Sequence, residues 1–396
     1  MKILVLNAGS SSLRYELFKV SNGNGTKKSP RNNHSRLTSL YEGMIDRIGF
    51  QGSVKNYDQA LKKALDELLT KKLIKNLDEI AYVGHRVVHG GEKYRNPVKI
   101  TPAVIKEIQK LSRLAPLHNP PNLKGIKAVI KQLKNVPQTA VFDTAFHQTL
   151  EPKAYLYALP LEYYKKFGIR RYGFHGTSHL FVGKEAQKLL DKSQNGKKRG
   201  TGKIITCHLG NGVSVTAIKD GKSVDTSMGF TPLEGLPMGT RCGDIDPAIV
   251  YKLMEKLKIG TKEIDVILNK KSGLLGIFGE SSDMRDVWAK AQKKDKKAMF
   301  AISYVSYKLA KYIGAYTAAL NGADAIVFTA GIGQYAWYVR KETCEYLSFL
   351  GLKLDDKKNK TNAIEISTPK SKVKVYVIPT DEEKEIALQT MQLLNS

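Results

Sequence analysis

Arginines and histidines set among glycines are the residues of this chain best suited to do chemistry. They concentrate in five short segments: 84–91 (Gly-His-Arg-Val-Val-His-Gly-Gly), 116–122 (Pro-Leu-His-Asn-Pro-Pro-Asn), 141–147 (Val-Phe-Asp-Thr-Ala-Phe-His), 170–179 and 239–247. Seven of the eight histidines lie between positions 85 and 208, which points to a shared cleft. Arg86 and Arg241 have small or glycine residues nearby, so each guanidinium can reach into a cleft and bind carboxylate or phosphate oxygens two at a time. A single arginine is ordinarily half of a surface ion pair. It is the company, as in Gly239-Thr240-Arg241-Cys242-Gly243-Asp244, that favours anion handling.

Two pairs, His85/His89 and His175/His179, have the four-residue spacing of zinc ligands on a helix. Val87-Val88 followed by two glycines reads as extended, however, so the first pair would not share a face, and Arg86 between them would repel a dication. His34, His89, His147 and His179 read more simply as structural residues. The chain has no GxxxxGK[ST] loop and neither of the HRD and DFG motifs of protein kinases. Gly331-Ile332-Gly333-Gln334-Tyr335-Ala336 fits the dinucleotide pattern GxGxxG/A, but nothing before it builds the first half of such a fold.

The elements that must position these residues alternate between strand and helix. Residues 2–6 and 13–20 read as a hairpin around Asn7-Ala8-Gly9-Ser10-Ser11-Ser12, and 204–207 and 213–218 as a second around His208-Leu209-Gly210-Asn211-Gly212. The repetition predicts a duplicated, two-lobed α/β fold. A strand at 325–329 runs into Gly331-Ile332-Gly333 and a helix; glycines after strands let backbone N–H groups approach a phosphate. Helical periodicity covers 57–69, 102–114, 178–190, 247–257, 298–320 and 382–394. Polar stretches at 21–36, 191–202 and 355–362 read as loops, and a lobe boundary is expected near 145–152.

Composition excludes several classes. With 396 residues and 42% hydrophobic content the chain can bury a core of two or three domains, which rules out a disordered basic tail. The formal charge of +27 would suit a nucleic-acid binder or a protein that attracts anionic metabolites. The excess is mostly scattered lysine pairs, such as 62–63, 197–198 and 357–358, so a diffuse lysine-rich surface is expected and no nucleic-acid partner. Three cysteines without a CxxC fit a reducing cytoplasm, each as a small buried hydrophobe. The apolar run 3–6 is too short for a signal peptide, and Lys308 and Lys311 interrupt the apolar stretch 300–320, so no membrane segment is expected.

Taken together, segments 7–12, 84–91, 141–148, 171–179, 208–212, 231–247, 331–333 and 377–383 resemble the acetate kinase family nearly end to end. The resemblance implies the ribonuclease-H-like fold of actin and the sugar kinases, with the active site in the interlobe cleft. It implies residues 1–145 plus 380–396 as the acetate and metal lobe, and 146–379 as the lobe for nucleotide binding and dimerisation. The activity implied is reversible, direct in-line transfer of the ATP γ-phosphoryl group to acetate, giving acetyl phosphate and ADP in a cytoplasmic homodimer. Asn7 and Glu382 would hold Mg²⁺, or Mn²⁺ in its place. Arg86 would bind the acetate carboxylate, and Val88, Leu117, Phe174 and Pro232 would surround its methyl group. His175, Arg241 and His118 would stabilise the phosphoryl group in transit.

Asp143 is the family's acid/base candidate. Acetate is already ionised near neutrality and needs no base, so a role in positioning Arg86 or ordering metal-bound water is expected instead. Nucleotide contacts are implied for Arg14, for His208, Leu209, Gly210, Asn211 and Gly212, for Asp283, Met284 and Arg285, and for Gly331, Ile332, Gly333, Gln334 and Tyr335. Two positions depart from the family pattern: Arg14 replaces the usual Lys, and Gln334-Tyr335 replace the usual Glu-Asn after the second glycine. A kinase for a longer carboxylic acid, or a non-catalytic nucleotide-binding module, are the neighbouring readings.

Overall fold

The computed structural model describes residues 1–21, 36–193 and 202–394. The chain divides into two compact units, Met1–Phe146 with Asp381–Ser396, and His147–Thr380.

The first unit is built on a six-stranded sheet of β1 (Lys2–Ala8), β2 (Leu13–Ser21), β3 (Arg36–Ile45), β4 (Ile80–Val87), β5 (Val98–Lys99) and β6 (Gln138–Phe142), in the order β3-β2-β1-β4-β6-β5. β1 pairs antiparallel with β2 and parallel with β4, which pairs parallel with β6. Both faces of β1 are covered, as central strands with parallel neighbours require. Leu4 and Leu6 pack with Leu61, Leu65 and Val129 from helices Tyr57–Thr70 and Asn119–Gln132. Ile3 and Val5 pack with Ile386, Ala387 and Met391 of helix Glu382–Leu394. That last helix lies so close to β4 that a Cβ on Gly84 would meet Thr390 Oγ1 at 2.6 Å and Ile386 Cγ2 at 2.8 Å.

The second unit carries β7 (Lys203–Leu209), β8 (Val213–Lys219), β9 (Lys222–Thr226), β10 (Ala325–Thr329) and β11 (Lys374–Val377), ordered β11-β10-β7-β8-β9. β7 runs antiparallel to β8 and parallel to β10, and β10 is parallel to β11. Read from the antiparallel edge, β9-β8-β7-β10-β11 reproduces β3-β2-β1-β4-β6. The duplication expected from the two glycine-rich hairpins is present in the topology.

Four expectations shift. The helix expected at 178–190 spans Gly176–Ser193 and so takes in the start of the loop expected at 191–202, most of which lies outside the described residues, as does 22–35 within 21–36. The helix expected at 102–114 stops at Leu111 and gives way to turns. Within the loop expected at 355–362, Asp355 caps a short helix, Asp356–Lys360, whose Asn359 is buried and accepts from Arg340 Nε at 2.8 Å. Cys207 and Cys344 are buried as expected, but Cys242 is only half-buried, its thiol donating to Gly243 O at 3.2 Å. No described helix is long and apolar enough to cross a membrane.

Candidate active site

In the first unit the carboxyl ends of the parallel strands converge, the place where open α/β sheets bind ligands. Asn7 lies near the end of β1, Arg86 near the end of β4, and Asp143 directly follows β6. Parallel pairing sets Arg86 opposite Val141 and Val87 opposite Phe142. Arg86 Nε donates to Asp143 Oδ1 and Oδ2, both at 3.1 Å, and NH2 donates to Oδ2 at 2.5 Å. Its NH1 donates to Asn7 Oδ1 at 3.4 Å, and Nε lies 3.6 Å from Glu382 Oε2 at the start of the last helix. Burial opposes the guanidinium charge, but Asp143 and Glu382 outweigh it and raise the pKa. Burial pushes the Glu382 carboxyl up, to about 7, against the pull of Arg86.

Two buried asparagines at the start of helix Asn119–Gln132 pin the backbone that leaves the end of β4. Asn122 Oδ1 accepts from Val88 N at 3.1 Å while its Nδ2 donates to Ala8 O at 2.8 Å. Asn119 exchanges two hydrogen bonds, both 3.0 Å, with the backbone of His89. His118 stands at the N-cap of this helix without capping it through its side chain, and Leu117 is 70% exposed whereas Val88 is buried. Arg14 sits on β2 between Glu42 at 3.5 Å and Glu383 at 3.8 Å.

In the second unit three expected residues come together around the β7–β8 turn. A Cβ on Gly212 would stand 3.1 Å from both Cε1 and Nε2 of His175 and 3.7 Å from Arg241 NH1. The bare backbone at this turn therefore lets an imidazole and a guanidinium approach one point. His175 takes the left-handed conformation (φ +56°), strained for a non-glycine residue, immediately before helix Gly176–Ser193. Its ring stacks on His208 at 4.2 Å, and Ser214 Oγ lies 2.8 Å from its Nδ1. His208 Nδ1 in turn lies 2.8 Å from Ser178 Oγ. Arg241 is held by Pro232 O, which accepts from NH1 at 3.2 Å, and burial lowers its pKa. Phe174 is buried, its carbonyl 3.0 Å from His147 Nε2.

A cavity of about 620 Å³, ample for a nucleoside, opens beside this turn. Of the residues expected to touch nucleotide it gathers Gly210, Asn211, Asp283, Met284, Arg285, Gly331, Ile332 and Tyr335. Gly331 to Tyr335 form a short helix, Ala330–Tyr335, entered through Ala330 at φ +62°. His208, Leu209, Gly212, Gly333 and Gln334 are absent from its wall; Gln334 O accepts from the buried Arg340, which braces the helix from behind. The wall also contains Trp288, Trp337 and Tyr338, which sequence reasoning missed; the aromatic density of 335–338 was the available signal. The zinc alternative stays set aside: His85 is bound to Gln138 Oε1 at 2.9 Å, and His89 Nδ1 accepts from Gly91 N at 3.0 Å.

Fold and donors thus define an anion-handling α/β protein of two topologically similar units, with a nucleoside-sized cavity in the second. The model of the acetokinase family matches residues 2–388, and the chain belongs to that family. It is 51% identical to an acetate kinase of Carboxydothermus hydrogenoformans over all of this chain and 99% of the relative, and 48% identical to that of Methanosarcina thermophila over 100% and 98%. Among solved structures, Porphyromonas gingivalis acetate kinase superposes with a TM-score of 0.90 at 41% identity, covering 99% of both chains. A propionate kinase from Francisella tularensis gives 0.88 at 39% identity, again covering 99% of both.

Proposed function

We propose that this protein is an acetate kinase, transferring the γ-phosphoryl group of ATP reversibly to acetate by in-line displacement. The observation that carries the reading is the convergence of His175 and Arg241 on the bare backbone of Gly212, next to a nucleoside-sized cavity. Two such donors suit the charge that spreads over the equatorial oxygens of a phosphoryl group in transit. Arg86 spends Nε and one N–H of NH2 on Asp143 and one N–H of NH1 on Asn7, which leaves the second N–H of each terminal nitrogen for the acetate carboxylate. Val88 and Leu117 in the first unit, and Phe174 and Pro232 in the second, are the apolar residues assigned to the methyl group, and His118 of the first unit is assigned to the anionic centre.

Asn7 and Glu382 offer the hard oxygen donors that suit Mg²⁺, and both lie beside Arg86. The bound ion would neutralise charge on the β- and γ-phosphates. ATP as donor supports a cytoplasmic reaction. A homodimer through the second unit is supported by helix Pro247–Leu257, which buries none of its residues and exposes Ile249, Tyr251 and Leu257.

The test is acetyl phosphate formation from ATP and acetate, trapped as the hydroxamate, with Arg241→Ala as control. Acetate is expected to be used best and propionate more slowly, since one methylene is worth only about 1–3 kcal/mol. Absence of product with acetate, propionate and butyrate would overturn the assignment.

A further inference from the structure

Both tryptophans of the chain, Trp288 and Trp337, line the cavity of about 620 Å³. Trp288 stacks on Tyr338 with ring centroids 3.8 Å apart and planes 7° from parallel, and Trp337 meets these two rings edge-on at 5.6 and 5.9 Å. The Tyr338 hydroxyl donates to Met284 O at 3.2 Å. These three rings fix one another as one rigid wall. Tyr335, the fourth aromatic of the lining, is 70% exposed and shares no ring contact with that wall. The charged pair at the rim is closed on itself: Arg285 Nε donates to Asp283 Oδ1 at 3.0 Å and NH2 to Oδ2 at 2.6 Å. A cavity lined this way offers ring faces and few groups to read the edge of a base. Stacking grows with the ring area overlapped, so a bicyclic purine is held better than a monocyclic pyrimidine.

We propose that Tyr335 is a specificity-determining residue, stacking on the base of the donor nucleotide together with the Trp288–Tyr338 wall and selecting purine over pyrimidine nucleotides. The inference rests on the phosphoryl-transfer reading, in which this cavity holds the nucleotide.

Two measurements test it. The first is kcat and KM with the magnesium salts of ATP, GTP, CTP and UTP at saturating acetate, for the unaltered protein, Tyr335→Ala and Tyr335→Phe. The second is quenching of tryptophan fluorescence by ADP, GDP and CDP, which reports occupancy of this cavity without turnover because both tryptophans line it. ATP and GTP are expected to exceed CTP and UTP at least tenfold in kcat/KM, about 1.4 kcal/mol, carried by KM. Tyr335→Ala raises KM for ATP and GTP at least fivefold, changes kcat less than twofold, and narrows the purine-to-pyrimidine ratio. Tyr335→Phe keeps the base ranking, because the ring does the selecting and not the hydroxyl. Equal use of CTP and ATP, or an unchanged ratio in Tyr335→Ala, overturns the proposal. Quenching by ADP without any acetyl phosphate formed would sink the transfer reading alone, and the ranking of dissociation constants would still decide the base preference. Fluorescence unmoved by every nucleotide would overturn the proposal, and with no acetyl phosphate formed it would overturn the transfer reading as well.

Discussion

Ser214 Oγ stands 2.8 Å from Nδ1 of His175, and the same oxygen lies 2.7 Å from Nε2 of the buried His179. On the far side of His179, Thr206 Oγ1 is 2.8 Å from Nδ1, while its other acceptor, Thr216 O, is at 3.5 Å. The shorter contact takes the Thr206 proton. Burial, reinforced by His147 and His208, pushes the pKa of His179 well down, so it is neutral and must then donate from Nε2 to Ser214. The Ser214 proton is left for His175 Nδ1, and His175 presents Nε2–H toward Gly212. This chain of donors fixes the tautomer of His175, as an oriented second partner does for any working histidine. Ser214→Ala is therefore expected to lower kcat about 10- to 100-fold with little change in either KM, measured by steady-state kinetics on the folded variant. An unchanged kcat would show that the tautomer does not matter.

Asp143 and Arg86 lead to a second expectation. The carboxylate takes three of the contacts of Arg86, and without its charge the guanidinium is free to turn away from the end of β4. Asp143→Asn should lower kcat/KM for acetate about 100-fold or more, chiefly through KM, while the shape of the pH–rate profile is kept. Loss of an acidic limb from that profile would instead identify Asp143 as a general base.

A Cβ at position 212 would sit 3.1 Å from the His175 ring, closer than most side-chain contacts allow, and the ring is already confined by His208 and Ser214. Gly212→Ala should keep the thermal midpoint within a few degrees yet lower kcat by about 10²-fold or more, because a misplacement of even 1 Å can cost that much. Retention of most of the activity would mean that His175 does not act at this point.

Local signals made the hairpins legible: alternation, then a turn of glycine, serine and asparagine at 7–12 and 208–212. The long amphipathic helices were legible for the same reason. β5, two residues long, and the four-residue β11 carry no pattern of their own and exist because neighbours pair with them. Arg86 and Asp143 could each be singled out by type, but they are 57 positions apart and meet only through the pairing of β4 with β6. Trp288 likewise joins Trp337 and Tyr338 from about 50 residues away, so the aromatic wall is a property of the fold. The 355–362 stretch was misread because its lysines face solvent while the one inward residue, Asn359, is polar.

Buried histidines make the protein sensitive to acid. Burial lowers His85 and His147 to about 4 and His89 to about 3, from an ordinary 6.5. Between about 4 and 6.5 the unfolded chain binds these protons and the folded one does not, so stability falls as pH falls through that window. Glu16 and Glu382, pushed up to about 7 by burial, act in the opposite sense, giving stability that is lost as pH rises from 4.5 towards 7. With His179 also neutral, the histidines outnumber these two carboxyls. The thermal midpoint is expected to drop from pH 7 to pH 5, and to drop less in His147→Gln, even though that variant starts lower after losing its bonds to Ser223 and Phe174. An equal drop in both proteins would remove His147 from the account.

Residues 231–247, which carry Pro232 and Arg241, are tied down near both ends. Arg171 NH2 donates to Glu234 Oε1 at 2.6 Å, and its NH1 donates to the carbonyls of Thr226, Ser227 and Met228 at 2.9, 3.1 and 3.3 Å. The Tyr157 hydroxyl donates to Glu234 and accepts from Phe230 N at 2.8 Å. At the other end Asp244 accepts from Gly235 N at 2.8 Å and from the Tyr312 hydroxyl. Burial works against the Arg171 charge and Glu234 more than restores it, so removing the carboxylate strands a largely buried guanidinium. Glu234→Gln should cost about 2–3 kcal/mol of stability, less than a fully buried pair because both side chains keep some solvent contact. It should also lower kcat, as Arg241 loses its fixed place. Tyr157→Phe removes both hydrogen bonds of the hydroxyl and should cost about 1–3 kcal/mol. Because both variants act on the same carboxylate, the double variant should cost less than the sum, measured by denaturant unfolding. Strict additivity would mean that Tyr157 and Arg171 hold this segment independently.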